Sequence, residues 1–114
     1  MFIERTNYWA HEGKLDDLLA VRREACEVRV RIGLPAGFVC RKVGGDGPDL
    51  RWTCIYASEK DYQDDMDGRA NSAEFLVVRE KVGPLLRKFE RHLEVLDDTC
   101  RDKFSRSNLE KLFV

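Results

Sequence analysis

Hydrophobic and polar positions along the chain fall into six runs of differing period, and each period predicts an element. Residues 2–9, FIERTNYW, mix aromatic and polar residues and are read as a first strand, closed by a His11-Glu12-Gly13 turn. Over 14–32, Leu18, Val21, Ala25, Val28 and Ile32 recur at spacings of three and four, which is one face of a helix. Asp16 and Asp17 suit its positive end, and Gly33 ahead of Pro35 suits its stop. Residues 27–32 also alternate as a strand would, but the apolar stripe begins well upstream and decides for the helix. Residues 37–43 and 50–57 are rich in β-branched and aromatic residues and flank the turn-forming GGDGPD at 44–49, the clearest hairpin in the chain. Folded about Gly47, that hairpin sets Cys40 opposite Cys54.

A second helical region begins near Glu59, with Tyr62 and Met66 inward on a segment ending around Gly68. Asn71 with Glu74 then has the form of a capping box. Phe75, Val78, Val82, Leu85 and Phe89 continue the stripe, and Gly83-Pro84 should kink or end the helix. Residues 90–96, ERHLEVL, alternate as a last strand. Residues 98–114 form a charged tail with Phe104, Leu109, Leu112 and Phe113 near helical spacing, as in a short docked helix. The domain is accordingly assigned to residues 1–97.

The order strand, helix, strand, strand, helix, strand is the ferredoxin-like βαββαβ arrangement, an α+β fold. Right-handed crossovers put both helices on one face of a four-stranded antiparallel sheet, with the first and third strands central. The other face lacks a cover. Along 50–57, Leu50, Trp52, Cys54 and Tyr56 share one side, and Arg51, Thr53 and Ile55 the other. Neither side is cleanly polar, so a second copy of the chain is the expected cover.

Composition narrows the function. At 114 residues the chain is one domain, and 43% hydrophobic residues suffice for a core. A net charge of −1 provides no field for nucleic acid or anionic lipid. No apolar run spans a membrane, and Glu4 and Arg5 interrupt any apolar signal core in MFIERTNYW, so a cytoplasmic location is expected. Cys26, Cys40, Cys54 and Cys100 form no C-x-x-C pair, which fits buried reduced thiols better than a metal site. Neither a metal nor any other cofactor is implied.

Few residues carry candidate chemistry. The first strand is polar for a central one: Glu4 and Arg5 are read as pairing with Glu90, Arg91 or Glu94 of the last strand, while Asn7 is balanced between structure and a polar cleft. His11, at the turn after the first strand, is a candidate general base; His92 reads as an edge or interface residue. Arg22 and Arg29, two turns apart beside the apolar stripe, would suit an anionic ligand group, although such arginines more often lay their stems over a core. Trp52 and Tyr56 suit a pocket wall or the dimer core equally.

The element order, HEGKLDDLL at 11–19, GLPAGF at 33–38, W-x-x-I-Y at 52–56 and AEFLVVREKVGPLL at 73–86 resemble the dimeric α/β-barrel superfamily, in its NIPSNAP-like branch. The resemblance implies two sheets facing each other across a homodimer, with ligands in a cleft between sheet and helices. It implies a ligand-binding domain or, alternatively, a cofactor-independent monooxygenase or isomerase for a small, partly aromatic substrate; a structural dimerisation module is a third reading. Ligand contacts would come from Asn7, Trp9, Trp52, Tyr56 and Phe75, with His11 or Asn7 assisting proton transfer. Haem-degrading members combine an Asn on the first strand, a Trp on the third and an iron-ligating His on the second helix. Asn7 and Trp52 match two of these positions, but residues 59–88 contain no histidine, which argues against that mechanism.

Overall fold

The computed structural model describes residues 1–97, and the expected tail helix at 98–114 lies outside them. The elements are β1 (Phe2–Ala10), α1 (Leu15–Arg31), β2 (Phe38–Arg41), β3 (Leu50–Tyr56), α2 (Glu59–Ala70), α3 (Ala73–Val82) and, after a 3-10 turn over Gly83–Leu85, β4 (Leu86–Val95). They build one sheet in the order β2-β3-β1-β4, with every neighbouring pair antiparallel. The fold is ferredoxin-like, with β1 and β3 central as the order of elements predicts.

Residues 27–32 belong to the helix rather than to a strand. Asp16 and Asp17 occupy the first turn of α1, and Arg29 and Arg31 the last, so both ends complement the helix dipole. Gly33, at φ 83°, closes it: its N–H donates to the Val30 carbonyl and that of Leu34 to the Arg29 carbonyl, a Schellman arrangement. The second helical region breaks as anticipated, but its cap is one residue on. Ser72, not Asn71, accepts from the Phe75 N–H at 3.1 Å, and Asn71 instead ends α2. Pro84 does end the helix, and the chain turns extended at Leu86, four residues before the expected start of the last strand. The earlier start lets β4 pair with β1 from Ala10↔Leu86 to Phe2↔Val95.

The hairpin register differs from the expected one. Val39 pairs with Trp52 and Cys40 with Arg51, so Cys40 and Cys54 do not face each other. An offset of three residues, being odd, also moves Cys40 to the opposite face of the sheet. The cause is Asp49. Its N–H donates to the Tyr8 carbonyl (2.9 Å), its Oδ2 accepts from the Ala10 N–H (2.9 Å), and its carbonyl accepts from Lys42 N–H (3.0 Å). The loop is thus pinned to β1, and Val39 rather than Cys40 packs against the core. Cys26, Cys40 and Cys54 are free thiols.

All three helices lie on the face that presents Tyr8, Leu50, Trp52, Cys54 and Tyr56, where Leu18, Leu19, Tyr62 and Val82 complete the main core cluster. Four charged residues are buried within it as a chain. Asp65 of α2 accepts from Arg29 of α1 at 2.5 Å and meets Arg69 at 3.0 Å; Arg69 donates to Glu4 of β1 at 2.7 Å. Glu4 is fully buried and also accepts from the Tyr56 hydroxyl at 3.1 Å. Removing one member strands its partners without solvent. Asp65→Ala is therefore expected to cost about 3–5 kcal/mol in a chemical denaturation series, whereas Glu74→Ala, which breaks the exposed pair with Arg31, should cost less than about 1 kcal/mol.

Candidate functional site

Between the sheet and the helices lies a cleft of about 490 Å³. Its floor is β1 and β3, where Thr6, Tyr8 and Trp52 present their side chains; α1 and α3 form the walls through Arg22, Ala25, Phe75 and Val82. Phe89 and Leu86 of β4 extend the apolar lining. The cleft exists because α2 and α3 are separate helices and Gly83-Pro84 turns the chain away before β4, leaving the sheet beyond Trp52 incompletely covered.

Trp52 is held in place from below. Its Nε1 donates to the Ala36 carbonyl at 3.0 Å, and the chain passes it at Gly37, where φ is +67° and an added Cβ would lie 2.5 Å from Nε1. No side chain fits there. Above the indole sit two guanidinium groups, those of Arg29 at 4.6 Å and Arg22 at 5.7 Å from the ring centre; Arg22 also lies 5.1 Å from the centre of Tyr8. Five arginines line the cleft (Arg22, Arg29, Arg69, Arg79 and Arg91). The acids that meet them are Glu4 and Asp65: Asp65 takes Arg29 and Arg69, and Glu4 takes Arg69 and Arg91.

No protein-family model matches the sequence, and no curated protein matches it. Among solved structures, an uncharacterised NIPSNAP domain protein from Burkholderia xenovorans superimposes with a TM-score of 0.71 over 88% of this chain and 98% of its own, at 13% identity. A NIPSNAP family protein from Agrobacterium tumefaciens gives 0.69 over 85% and 93%, at 17% identity. The chain has the NIPSNAP-type fold. A protein described as an antibiotic biosynthesis monooxygenase shares it, with a TM-score of 0.63 over 85% of this chain and 99% of its own, at 13% identity.

Within this NIPSNAP-type fold the residues singled out from the sequence divide between the two faces of the sheet. Trp52 and Phe75 both line the cleft. Tyr56 shares their face but lies deeper, bound to Glu4 and edge-on to Tyr62 at 5.6 Å. Asn7 and Trp9 point to the opposite, helix-free face. There Asn7 is buried and accepts from Arg51 Nε at 2.9 Å, and Lys88 lies 4.6 Å above the Trp9 ring. Asn7 and Trp52 therefore lie on opposite faces of the sheet and do not converge. His11 is exposed in the turn after β1 and contributes through its backbone, donating to the Leu85 carbonyl. His92, on exposed β4, lies 3.4 Å from Glu90, whose carboxyl is held below its usual range chiefly by that hydrogen bond.

Glu4 and Arg5 do meet the last strand, through Arg91 at 3.4 Å and Glu94 at 3.0 Å. Asp65 and Arg69 were overlooked. They continue the Tyr62 and Met66 stripe at helical spacing, and a charged i,i+4 pair on an inward stripe is the signal that marks them. No group of three or more potential metal ligands clusters among the described residues, and none of their helices is long and apolar enough to cross a membrane.

Burial dominates the titration of this region. It pushes the Cys54 thiol above its usual 9.0 and the Tyr56 hydroxyl well above its usual 10.0; Arg69, although burial opposes its charge, is raised by the Glu4 hydrogen bond and the Glu4 and Asp65 charges. Cys54 and Tyr56 thus keep their protons to higher pH in the folded state than in the unfolded one. Their contribution to stability is complete below about pH 9 and lost as pH rises further. Denaturation midpoints should be level from pH 7 to 8.5 and fall by pH 10.5, with a smaller fall in Cys54→Ala than in the wild type.

Proposed function

We propose that this chain is a small-molecule-binding domain that acts as a homodimer in the cytoplasm, with its ligand in the sheet–helix cleft. The cleft carries the reading: about 490 Å³ falls in the range of metabolite sites, and aromatic walls with a few fixed polar groups are what such sites use. A structural dimerisation module would have little use for an open space in its own core. The free thiols fit a reducing compartment.

The homodimer is supported by the helix-free sheet face. Ile3 and Ile55 pair across its two central strands at one end, half-buried Trp9 lies toward the other end of β1, and Phe38 is exposed at its edge. Most of its charges are paired within the face, Arg5 with Glu94 and Lys88 with Glu90, while Arg51 donates to the neutral Asn7 amide. A mixed face of this kind, with apolar residues between charges largely paired among themselves, suits a second copy of itself.

The neighbour described as an antibiotic biosynthesis monooxygenase favours a second reading, in which the same cleft is a reaction chamber of a cofactor-independent monooxygenase or isomerase. Turnover of whatever molecule the cleft retains separates the two readings.

Native mass spectrometry of protein purified without added ligand tests the proposal. Two chains plus a small-molecule increment are expected. Phe75→Trp, which fills the cleft, should remove the increment and leave the dimer, and Ile55→Arg should give single chains. An increment that survives Phe75→Trp places the ligand elsewhere, and a wild-type protein that runs only as single chains rules the dimer out.

A further inference from the structure

Five buried side-chain nitrogen or oxygen atoms among the described residues make no hydrogen bond: Arg5 Nε, Arg22 Nε, Arg29 Nη1, Asp65 Oδ1 and Arg69 Nε. Three of these have an opposite charge at 3.0 Å, since Asp65 Oδ1 faces Arg69 Nε and Arg5 Nε faces Glu94. The remaining two belong to Arg22 and Arg29, and both residues line the cleft. Arg29 is otherwise satisfied, by Asp65 through Nη2 and by the Pro35 carbonyl through Nε at 2.7 Å. Arg22 is not. Its side chain is 7% exposed, it donates no hydrogen bond to any described residue, and no carboxylate pairs with it.

A buried guanidinium with no anion is costly, and the flat faces of Tyr8 and Trp52 replace only part of its lost hydration. Proteins tolerate such an arrangement where a ligand supplies the counter-charge. We propose that the cleft binds a small molecule bearing one carboxylate on an apolar, ring-containing body, and that Arg22 takes the carboxylate. This rests on the reading of the cleft as the ligand site and adds the ligand's chemical class. Of the Arg22 guanidinium nitrogens only Nε is shut away from solvent, so its terminal nitrogens are the donors open to the cleft, and the Arg22 and Arg29 guanidinium groups both lie over the same Trp52 ring. Phe75, Val82, Leu86 and Phe89 leave an apolar surround for the body of the molecule. Arg79 also lines the cleft without a carboxylate but lies exposed, so the buried charge that needs balancing is the single one of Arg22, which favours a carboxylate over a dianionic phosphate.

Calorimetric titration with naphthoate, naphthamide and naphthyl phosphate tests the assignment. Wild-type protein should bind naphthoate roughly tenfold or more tighter than the isosteric amide, as a charge-assisted hydrogen bond to a buried guanidinium implies. Arg22→Met should weaken naphthoate far more than the amide, bringing the two to about the same affinity, and Phe75→Trp should weaken both. Ligand-free Arg22→Met should melt at or above the wild-type temperature, because it removes an uncompensated charge. Should Arg22→Met fail to fold, or melt well below the wild type, Arg22 is structural and the proposal is overturned. Arg22→Lys, which keeps the charge but not the fork, should retain part of the preference. Equal affinity for acid and amide in the wild type, with Phe75→Trp weakening both, overturns the carboxylate assignment and leaves the cleft as a ligand site. A preference that persists in Arg22→Met puts the carboxylate on another residue, and tighter binding of the phosphate overturns the choice of a single charge. Absence of binding by all three, or binding untouched by Phe75→Trp, removes the cleft reading and this proposal together.

Discussion

The positions of α1 and α2 over the sheet depend on one buried chain of charges, Arg29–Asp65–Arg69–Glu4. Four ionised groups out of reach of water are tolerable only while each keeps its opposite at hydrogen-bonding distance. That requirement fixes α1 against α2 and α2 against the central strand. Apolar packing of Leu18, Val28 or Tyr62 would hold the layers together but would allow them to slide.

The same chain creates the conditions for a site. Because Asp65 is committed to Arg29 and Arg69, and Glu4 to Arg69 and Arg91, the acids of the interior are used up before Arg22 is reached. An arginine one step outside the network thus stays in the cleft with aromatic rings as its neighbours. Its rings are themselves positioned: Trp52 by the Ala36 carbonyl and by the absence of a side chain at Gly37, and Tyr8 by its hydroxyl contact with Thr6. Rigid support beneath and a preformed charge above are what a binding pocket requires.

Periodicity made most of the architecture legible from the sequence. The α1 stripe outweighed the local alternation at 27–32, the hairpin was plain in GGDGPD, and element order alone put β1 and β3 in the centre. The division of β3 into Leu50, Trp52, Cys54 and Tyr56 against Arg51, Thr53 and Ile55 was also visible. Which side would meet the helices was not, because both sets contain apolar residues. That ambiguity joined Asn7 and Trp9 to Trp52 and Tyr56 as one set of ligand contacts, whereas the pleat sends them to opposite faces. The Cys40 register was hidden for a different reason. It is set by Asp49 reaching to β1, a contact across the sheet that no local pattern records. Arg22 and Arg29 stood out together beside the apolar stripe, but only the partner on α2, Asp65, distinguishes the structural arginine from the free one.

The Asp49 anchor separates the geometry of the hairpin from the length of its loop. In most tight hairpins the turn type dictates the register, so an inserted residue slips the strand and turns its side chains over. Here the strand-entry point is bolted to β1 by two hydrogen bonds before the loop begins to matter. The segment 43–47 has exposed residues throughout and two glycines at positive φ. It is therefore a natural splice point, where a tag, a reporter or a second domain can be grafted in frame while the floor of the cleft keeps its shape.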